Sequence, residues 1–352
     1  MAVSGSGTIS DPYIPVTFGD FLSVCGQENT YVCLQNDIDV SKDNVYKTGM
    51  SSALNIRANI YGTAMTYDST RTYNKDDKCT WNDGEHGLCT YTCEVDGTVG
   101  IDVSDSTHWT RGGDPTKKIT GLIITAGSFI SYSHYQYLTM QNIFFESCAF
   151  FGTGNNYSFI NPSSTNHYLT FNDCKFSIFY MQSVGANYCP KITNYTQTFN
   201  RCSLYFRFNG PDLSSVSYND YWRIFSTATT LNNCTIDIEN ISILASSTGD
   251  SSPQFGSMIS SSFRLTTNIY SGTTVRNNVK FNGTNCFFAL TALNIESGET
   301  YTFSPNTLTG VNIIDSDVAG NASIGGHANL IAGTTAQCKN KDWLISQGFF
   351  AS

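Results

Sequence analysis

Asp237 and Glu239 flank Ile238 in an alternating stretch that reads Cys234-Thr235-Ile236-Asp237-Ile238-Glu239. If Cys234, Ile236 and Ile238 turn inward, Thr235, Asp237 and Glu239 share the outward face, their Cβ atoms about 7 Å apart from the strand rise. Two carboxylates at such a separation are what glycoside hydrolysis uses, one as acid and the other as base or nucleophile. A solvated outer face accounts for the same pattern. No neighbouring segment adds a third carboxylate at the matching place.

Cys79, His86, Cys89 and Cys93 lie within fifteen residues and invite a zinc reading. Zinc knuckles pair their cysteines at short spacing on both sides of the site, and this stretch does not. Cys89, Tyr91, Cys93 and Val95 also alternate with Thr90, Thr92 and Glu94, which turns both cysteines toward a core. No metal and no cofactor is expected. Arg201 occupies the place that Asp173 and Asn233 hold in neighbouring segments, so an Asp-over-Arg pair is expected, of a kind that surface ion pairing explains. The sequence has no His-Glu-x-x-His, phosphate-cradling glycine loop or nucleophile elbow.

Tyrosine offers a different chemistry. The chain has 20 of them, too many for all to be buried, and Tyr, Asn and Ser together make adaptable contact surfaces. Tyr132, Tyr135 and Tyr137 are the candidates for glycan contact.

The elements that must carry these residues are written in a repeat. Phe145-Glu146-Ser147-Cys148-Ala149-Phe150 is echoed by Phe171-Asn172-Asp173-Cys174-Lys175-Phe176, by Phe199-Asn200-Arg201-Cys202-Ser203-Leu204 and by Leu231-Asn232-Asn233-Cys234-Thr235-Ile236. A weaker copy, Arg276-Asn277-Asn278-Val279-Lys280-Phe281, puts Val where Cys stood. Each copy is a short strand, a two-residue bend and a second strand. Leu169 and Phe171 point inward before the bend, and Cys174, Phe176 and Ile178 after it. Asn tolerates the left-handed conformation that such a bend demands. Repeats of this length rich in Phe, Tyr, Ile, Thr and Asn stack as parallel strands, like residue over like residue, about 4.8 Å apart. The cysteines are expected as buried free thiols near the bends.

Composition agrees. Of the 352 residues 13% are charged, 40% are hydrophobic and 13% are aromatic. The aromatic content excludes a disordered chain. A net charge of −9 with 19 Lys+Arg argues against a phosphate-neutralising surface, so no nucleic-acid partner is expected. In a parallel stack each outward charge meets a like neighbour above and below, whereas Asn, Ser and Thr stack without repulsion. The apolar runs at 121–126 and 143–151 are far short of a bilayer span, so no membrane partner is expected. The first residues have no basic region and no apolar stretch, so no secretory signal is expected, and reduced thiols are favoured.

The Asn-x-Cys-x-apolar bends over 119–300 resemble a right-handed parallel β-helix of the pectate-lyase-like kind. The opening is similar to that of β-helix proteins of gut bacteria and their phages. It runs Gly5-Ser6-Gly7-Thr8, Asp11-Pro12-Tyr13, a short helix after Thr17 and then Leu34-Gln35-Asn36-Asp37-Ile38-Asp39. Lys341-Asp342-Trp343-Leu344-Ile345 resembles the tail of the same group. Thr17 and Asp20 approximate a capping box, and Phe18, Phe21, Leu22 and Cys25 would cover the open end of the first coil.

The expected fold is therefore all-β, a right-handed parallel β-helix with an N-terminal cap helix and a long early insertion, in one elongated domain. Residues 1–64 are the cap and first coils, 65–117 an insertion or loop excursion, 118–300 regular coils, and 301–352 the C-terminal coils and tail. A second excursion is expected at 245–257. The resemblance implies a virion fibre, spike or appendage protein of a tailed phage, assembled in the host cytoplasm. It further implies a homotrimer that touches other virion proteins and host-surface glycans; separately, the motifs above lead to no expected catalytic residues. Two alternatives stay open: a tailspike-like polysaccharide depolymerase or lyase using Asp237 and Glu239, and an adhesin or carbohydrate-binding protein of the bacterial surface.

Overall fold

Strand after strand in this chain alternates a large apolar residue with a small or polar one, so each can bury only one face. The solution is a parallel β-solenoid. The computed structural model describes residues 3–82, 84–132, 137–152, 158–162, 168–181, 191–193, 196–209, 225–226, 228–244, 257–270, 275–277, 282–294, 301–303, 307–315, 322–324 and 330–348. Tyr135, Val279 and the expected excursion over 245–256 lie outside these residues.

Two parallel ladders run the length of the stack. In the first, Val32, Ile60, Met140, Phe171, Phe199, Leu231 and Met258 lie in register and are all buried. In the second, Ile38, Ile119, Phe145, Phe176, Leu204, Ile236 and Phe263 do the same. A third ladder joins Leu54–Ile56, Ser128–Tyr132, Ser158–Pro162 and Lys191–Thr193. Like residues stack face to face inside: the Phe171 and Phe199 rings are 4.8 Å apart at 8°, and Phe145 and Phe176 are 5.4 Å apart at 12°.

The bends between the first and second ladders form a column of their own. Asn142, Asp173, Arg201, Asn233, Ser260 and Asn285 are all left-handed, with φ between 46 and 56°. The next residue's side chain turns inward. Cys174, Cys202, Cys234 and Cys286 each donate a thiol hydrogen bond to a carbonyl of the preceding coil (Met140, Phe171, Phe199 and Met258) at 3.3–3.4 Å. Ser261 fills the same place and donates to Leu231 O at 3.4 Å. All eleven described cysteines are free and buried.

Cys148 is not part of this column, although its local sequence matches. Ser147 is left-handed at a register shift in the middle of the strand Ile143–Gly152, and the Cys148 thiol points to Ile119 O. The bend that stacks on Asp173 is Asn142, whose N–H donates to Asn172 O. The motif thus marks any left-handed residue before an inward strand, and only the stacking decides which ladder it joins.

At the N-terminus the first residues dock on the strand Tyr31–Leu34: Tyr31 N donates to Gly7 O and Tyr13 N to Tyr31 O. Gly7 has φ 77°, and a side chain there would collide with the Tyr13 ring. Helix α1 (Phe18–Cys25) opens on the expected capping box, Thr17 and Asp20 each bonding the other's backbone N–H. It closes the first coil with Phe18, Phe21, Val24 and Cys25; Leu22, expected in that face, is partly buried and packs against the same core.

Part of 65–117, expected as an insertion or loop excursion, is a small sheet of its own. Lys78–Asn82, Leu88–Cys93 and Trp109–Arg111 pair antiparallel around a small core of Tyr73, Cys79, Cys89, Tyr91, Cys93, Val103 and Trp109. Its polarity lies on the outer face, and the alternation around Cys89 and Cys93 turns both thiols inward as expected.

The chain ends in two short helices, α2 (Thr335–Lys339) and α3 (Lys341–Ser346), that fold back over the second ladder. Cys338, Leu344 and Trp343 pack there on Phe287, Ala289 and Ile331. Among the described residues no helix is long and apolar enough to cross a membrane.

Candidate functional site

The strand Thr235–Leu244 brings Asp237 and Glu239 to the outer face of the second ladder, as the alternation requires. Its neighbours decide what they do there. Register places Tyr205, Asp237 and Arg264 in one row across three coils. Arg264 Nε and Nη2 each donate to a separate oxygen of Asp237 at 2.8 Å, and Nη2 also reaches Glu239 Oε1. The Tyr205 hydroxyl donates to Glu239 Oε2 at 2.8 Å. From helix α3, Lys341 Nζ comes to 3.0 Å of Asp237 and lies over the Tyr205 ring.

Asp237 is consequently 5% exposed and Arg264 3%, so the expectation of a solvated outer face fails at Asp237. Burial alone would raise the Glu239 pKa, but the Tyr205 hydroxyl and the charges of Arg264 and Lys341 outweigh it and hold the carboxyl below its ordinary value. Tyr205 is pushed up to about 12, first by burial and then by the Glu239 carboxylate. Burial pulls Arg264 down, yet its bonds and charge pairing with Asp237 and Glu239 carry it above its ordinary value. A glycosidic general acid needs the opposite, a carboxyl whose pKa is raised. As arranged, the cluster ties three coils and the C-terminal helix together.

Sequence reasoning missed Arg264, Tyr205 and Lys341. A signal for the first two exists: Tyr205, Asp237 and Arg264 each stand three residues after Cys202, Cys234 and Ser261 of the bend column. Recognising Ser261 as a member places Arg264 directly over Asp237. Lys341 comes from the far end of the chain and has no such signal.

The tyrosine candidates separate. Tyr132 is fully buried, its ring inside the coil and its hydroxyl accepting from Gln197 Nε2 at 2.9 Å, so it is no surface contact. The reason is parity: Tyr132 follows Ile130 on the inward face of the strand Ser128–Tyr132. Tyr137 is 78% exposed and stacks on Tyr168 of the next coil, ring centroids 4.9 Å apart at 22°. At the opposite end of the strand Tyr168–Asn172, on the same outward side, a half-buried row of amides begins, Asn200 donating to Asn172 at 2.8 Å and Asn232 to Asn200 at 2.9 Å. The expected Arg201–Asp173 pair forms, Nε and Nη2 meeting the two carboxylate oxygens at 2.7 and 2.6 Å.

Among the described residues no group of His, Cys, Asp and Glu is placed to hold a metal. No family model matches the chain, and no curated protein or solved structure matches it.

Proposed function

We propose that this chain is a structural protein of a tailed-phage particle, a β-helical fibre, spike or capsid or tail appendage that assembles as a homotrimer and touches host-surface glycans. The observation that carries the reading is the outer surface of the first ladder. Tyr137 stacked on Tyr168 and, further along the same outward side, the amide row Asn172–Asn200–Asn232 are neutral and hydrogen-bonding, a composition that suits adaptable contacts. Buried free thiols support it too, since a stack held by thiol-to-carbonyl hydrogen bonds needs no oxidising compartment. The opening and closing motifs, which resemble those of β-helix proteins from gut bacteria and their phages, add to it. Fold alone does not specify such a role.

Negative-stain microscopy with mass determination tests the proposal. Elongated particles with the mass of three chains, and the same chain in mass spectra of purified virions, are expected. A compact monomer that is absent from virions overturns it.

A further inference from the structure

Helix α3 lies on the outer face of the second ladder at Tyr205 and Asp237, where Lys341 is seated. One coil earlier the same face is bare. On the strand Lys175–Met181 alternation turns Lys175, Phe179 and Met181 outward, and Phe179 is 39% exposed. Register sets Arg207 beside Phe179 and the half-buried Phe151 beside Met181. Lys175 and Arg207 are exposed and form no ion pair among the described residues. Their counterparts Lys118, Arg201 and Arg264 are each paired, with Glu146, Asp173 and Asp237. An apolar strip flanked by two uncompensated cations therefore faces water, on a chain whose net charge is −9.

The inserted sheet carries a knob of the opposite make-up. In the turn over 94–100, Val95 is 42% and Val99 50% exposed, and Glu94 and Asp96 are exposed carboxylates. The turn is tied down on both sides. Glu94 N donates to His108 O, Thr98 exchanges both backbone hydrogen bonds with Tyr73, and Thr98 Oγ1 and Cys93 Sγ donate to Val95 O. Asp96 Oδ1 accepts from Lys75 N, while Glu94 forms no ion pair among the described residues. A single exposed valine is ordinary on a protein surface. Here two share a pre-formed turn with two carboxylates, and an exposed Phe shares a face with two cations. A turn whose shape is already fixed loses little ordering entropy on docking.

We propose that this turn and this face meet in a contact between two copies of the chain. Val95 and Val99 of one copy lie on Phe179 and Met181 of the next, with Glu94 and Asp96 facing Lys175 and Arg207. Two different patches make the contact heterologous, so it repeats from copy to copy and ends where a ring closes. Turn on turn, or face on face, would set like charges together, so complementarity fixes the register. The inference rests on the reading that the chain self-assembles, and it names the surfaces that meet.

Mass by light scattering over a concentration series tests it, with far-UV circular dichroism as the control for folding. The parent is expected to have a multi-chain mass. Lys175→Glu with Arg207→Glu, and separately Glu94→Lys with Asp96→Asn, are each expected to raise the concentration of half-assembly about tenfold or more with an unchanged dichroism spectrum. Asp96→Asn keeps the acceptor for Lys75 N. All four substitutions together restore opposite charge across the contact and are expected to assemble within about threefold of the parent, since neighbouring substitutions do not add. Assembly unmoved by both pairs, or a combined variant no better than either pair, overturns the proposal, and a parent with the mass of three chains then leaves the appendage reading standing. A parent that stays a single chain at every concentration also overturns it and assigns the bare face to a different protein. The presence or absence of the chain in purified virions then decides the appendage reading separately.

Discussion

Arg264 grips Asp237 across the gap between two coils, Nε and Nη2 each 2.8 Å from a different carboxylate oxygen, and both side chains are less than one-tenth exposed. A buried bidentate pair costs desolvation to form, and removing one partner leaves the other charge stranded. Asp237→Ala is expected to lower the unfolding free energy by about 3–5 kcal/mol, the range for breaking a buried pair. Asp237→Leu with Arg264→Met replaces both ends and is expected to recover much of that loss. Urea denaturation of the single and double variants decides it: equal losses would show that packing, not charge, holds the site.

The same cluster sets an acid limit. Glu239 has a lowered pKa in the folded chain, so the unfolded chain takes up its proton first as pH falls. Its stabilisation is complete above the ordinary carboxyl pKa and is lost as pH drops through the lower folded value. Glu239→Gln is therefore expected to flatten the fall of melting temperature between neutral pH and about pH 3, given an unperturbed Glu near 4.3. An unchanged slope would count against the assignment.

The thiols set an alkaline limit of opposite sign. Burial pushes Cys25, Cys33, Cys79 and Cys148 up to about 12. A raised folded pKa gives stability that is full below the unfolded thiol value and is lost as pH rises toward the folded one. The native chain is expected to resist iodoacetamide at pH 8 at all eleven described cysteines and to react at each of them in urea, read by intact mass and peptide mapping. Stability is expected to fall as pH rises above about 9, where unfolded thiols of pKa about 8.5 ionise and folded ones do not. Rapid alkylation of Cys202 or Cys234 in the folded chain would refute the burial of the column.

Much of the fold was legible because a parallel stack repeats its own requirements. The inward set Phe171, Cys174, Phe176 and Ile178 follows from period-two alternation, and every member is buried. The site was less legible for two physical reasons. Alternation gives the parity of a residue but not its partner: Asp237 lies on the outer face as read, yet its burial comes from Arg264 one coil on and Lys341 at the far end of the chain. Composition gives exposure only on average, so Tyr132 and Tyr137, five residues apart, were grouped although one lines the interior and the other faces water. The inserted sheet was hidden because its strands are short and separated by polar turns, which read as loop.

The bend column makes the sharpest demand on sequence. Asn233 has φ 51°, its N–H donates to Ile259 O, and Cys234 beside it starts the inward strand. A left-handed backbone costs an ordinary L-residue about 1–2 kcal/mol, less for Asn and nothing for Gly. Asn233→Val should therefore destabilise by about 1–2 kcal/mol through the backbone alone, as β-branching makes the conformation worse. Asn233→Gly should stay within about 0.5 kcal/mol of the parent, the relief at φ > 0 offsetting the freedom gained by the unfolded chain. Asn277 makes the internal control: it lies in the strand Val275–Asn277, away from any described left-handed bend, so Asn277→Val should not show the penalty. Urea midpoints of the three variants test the claim directly. A Val at 233 tolerated as well as a Val at 277 would mean that the left-handed column is not what fixes the coil length.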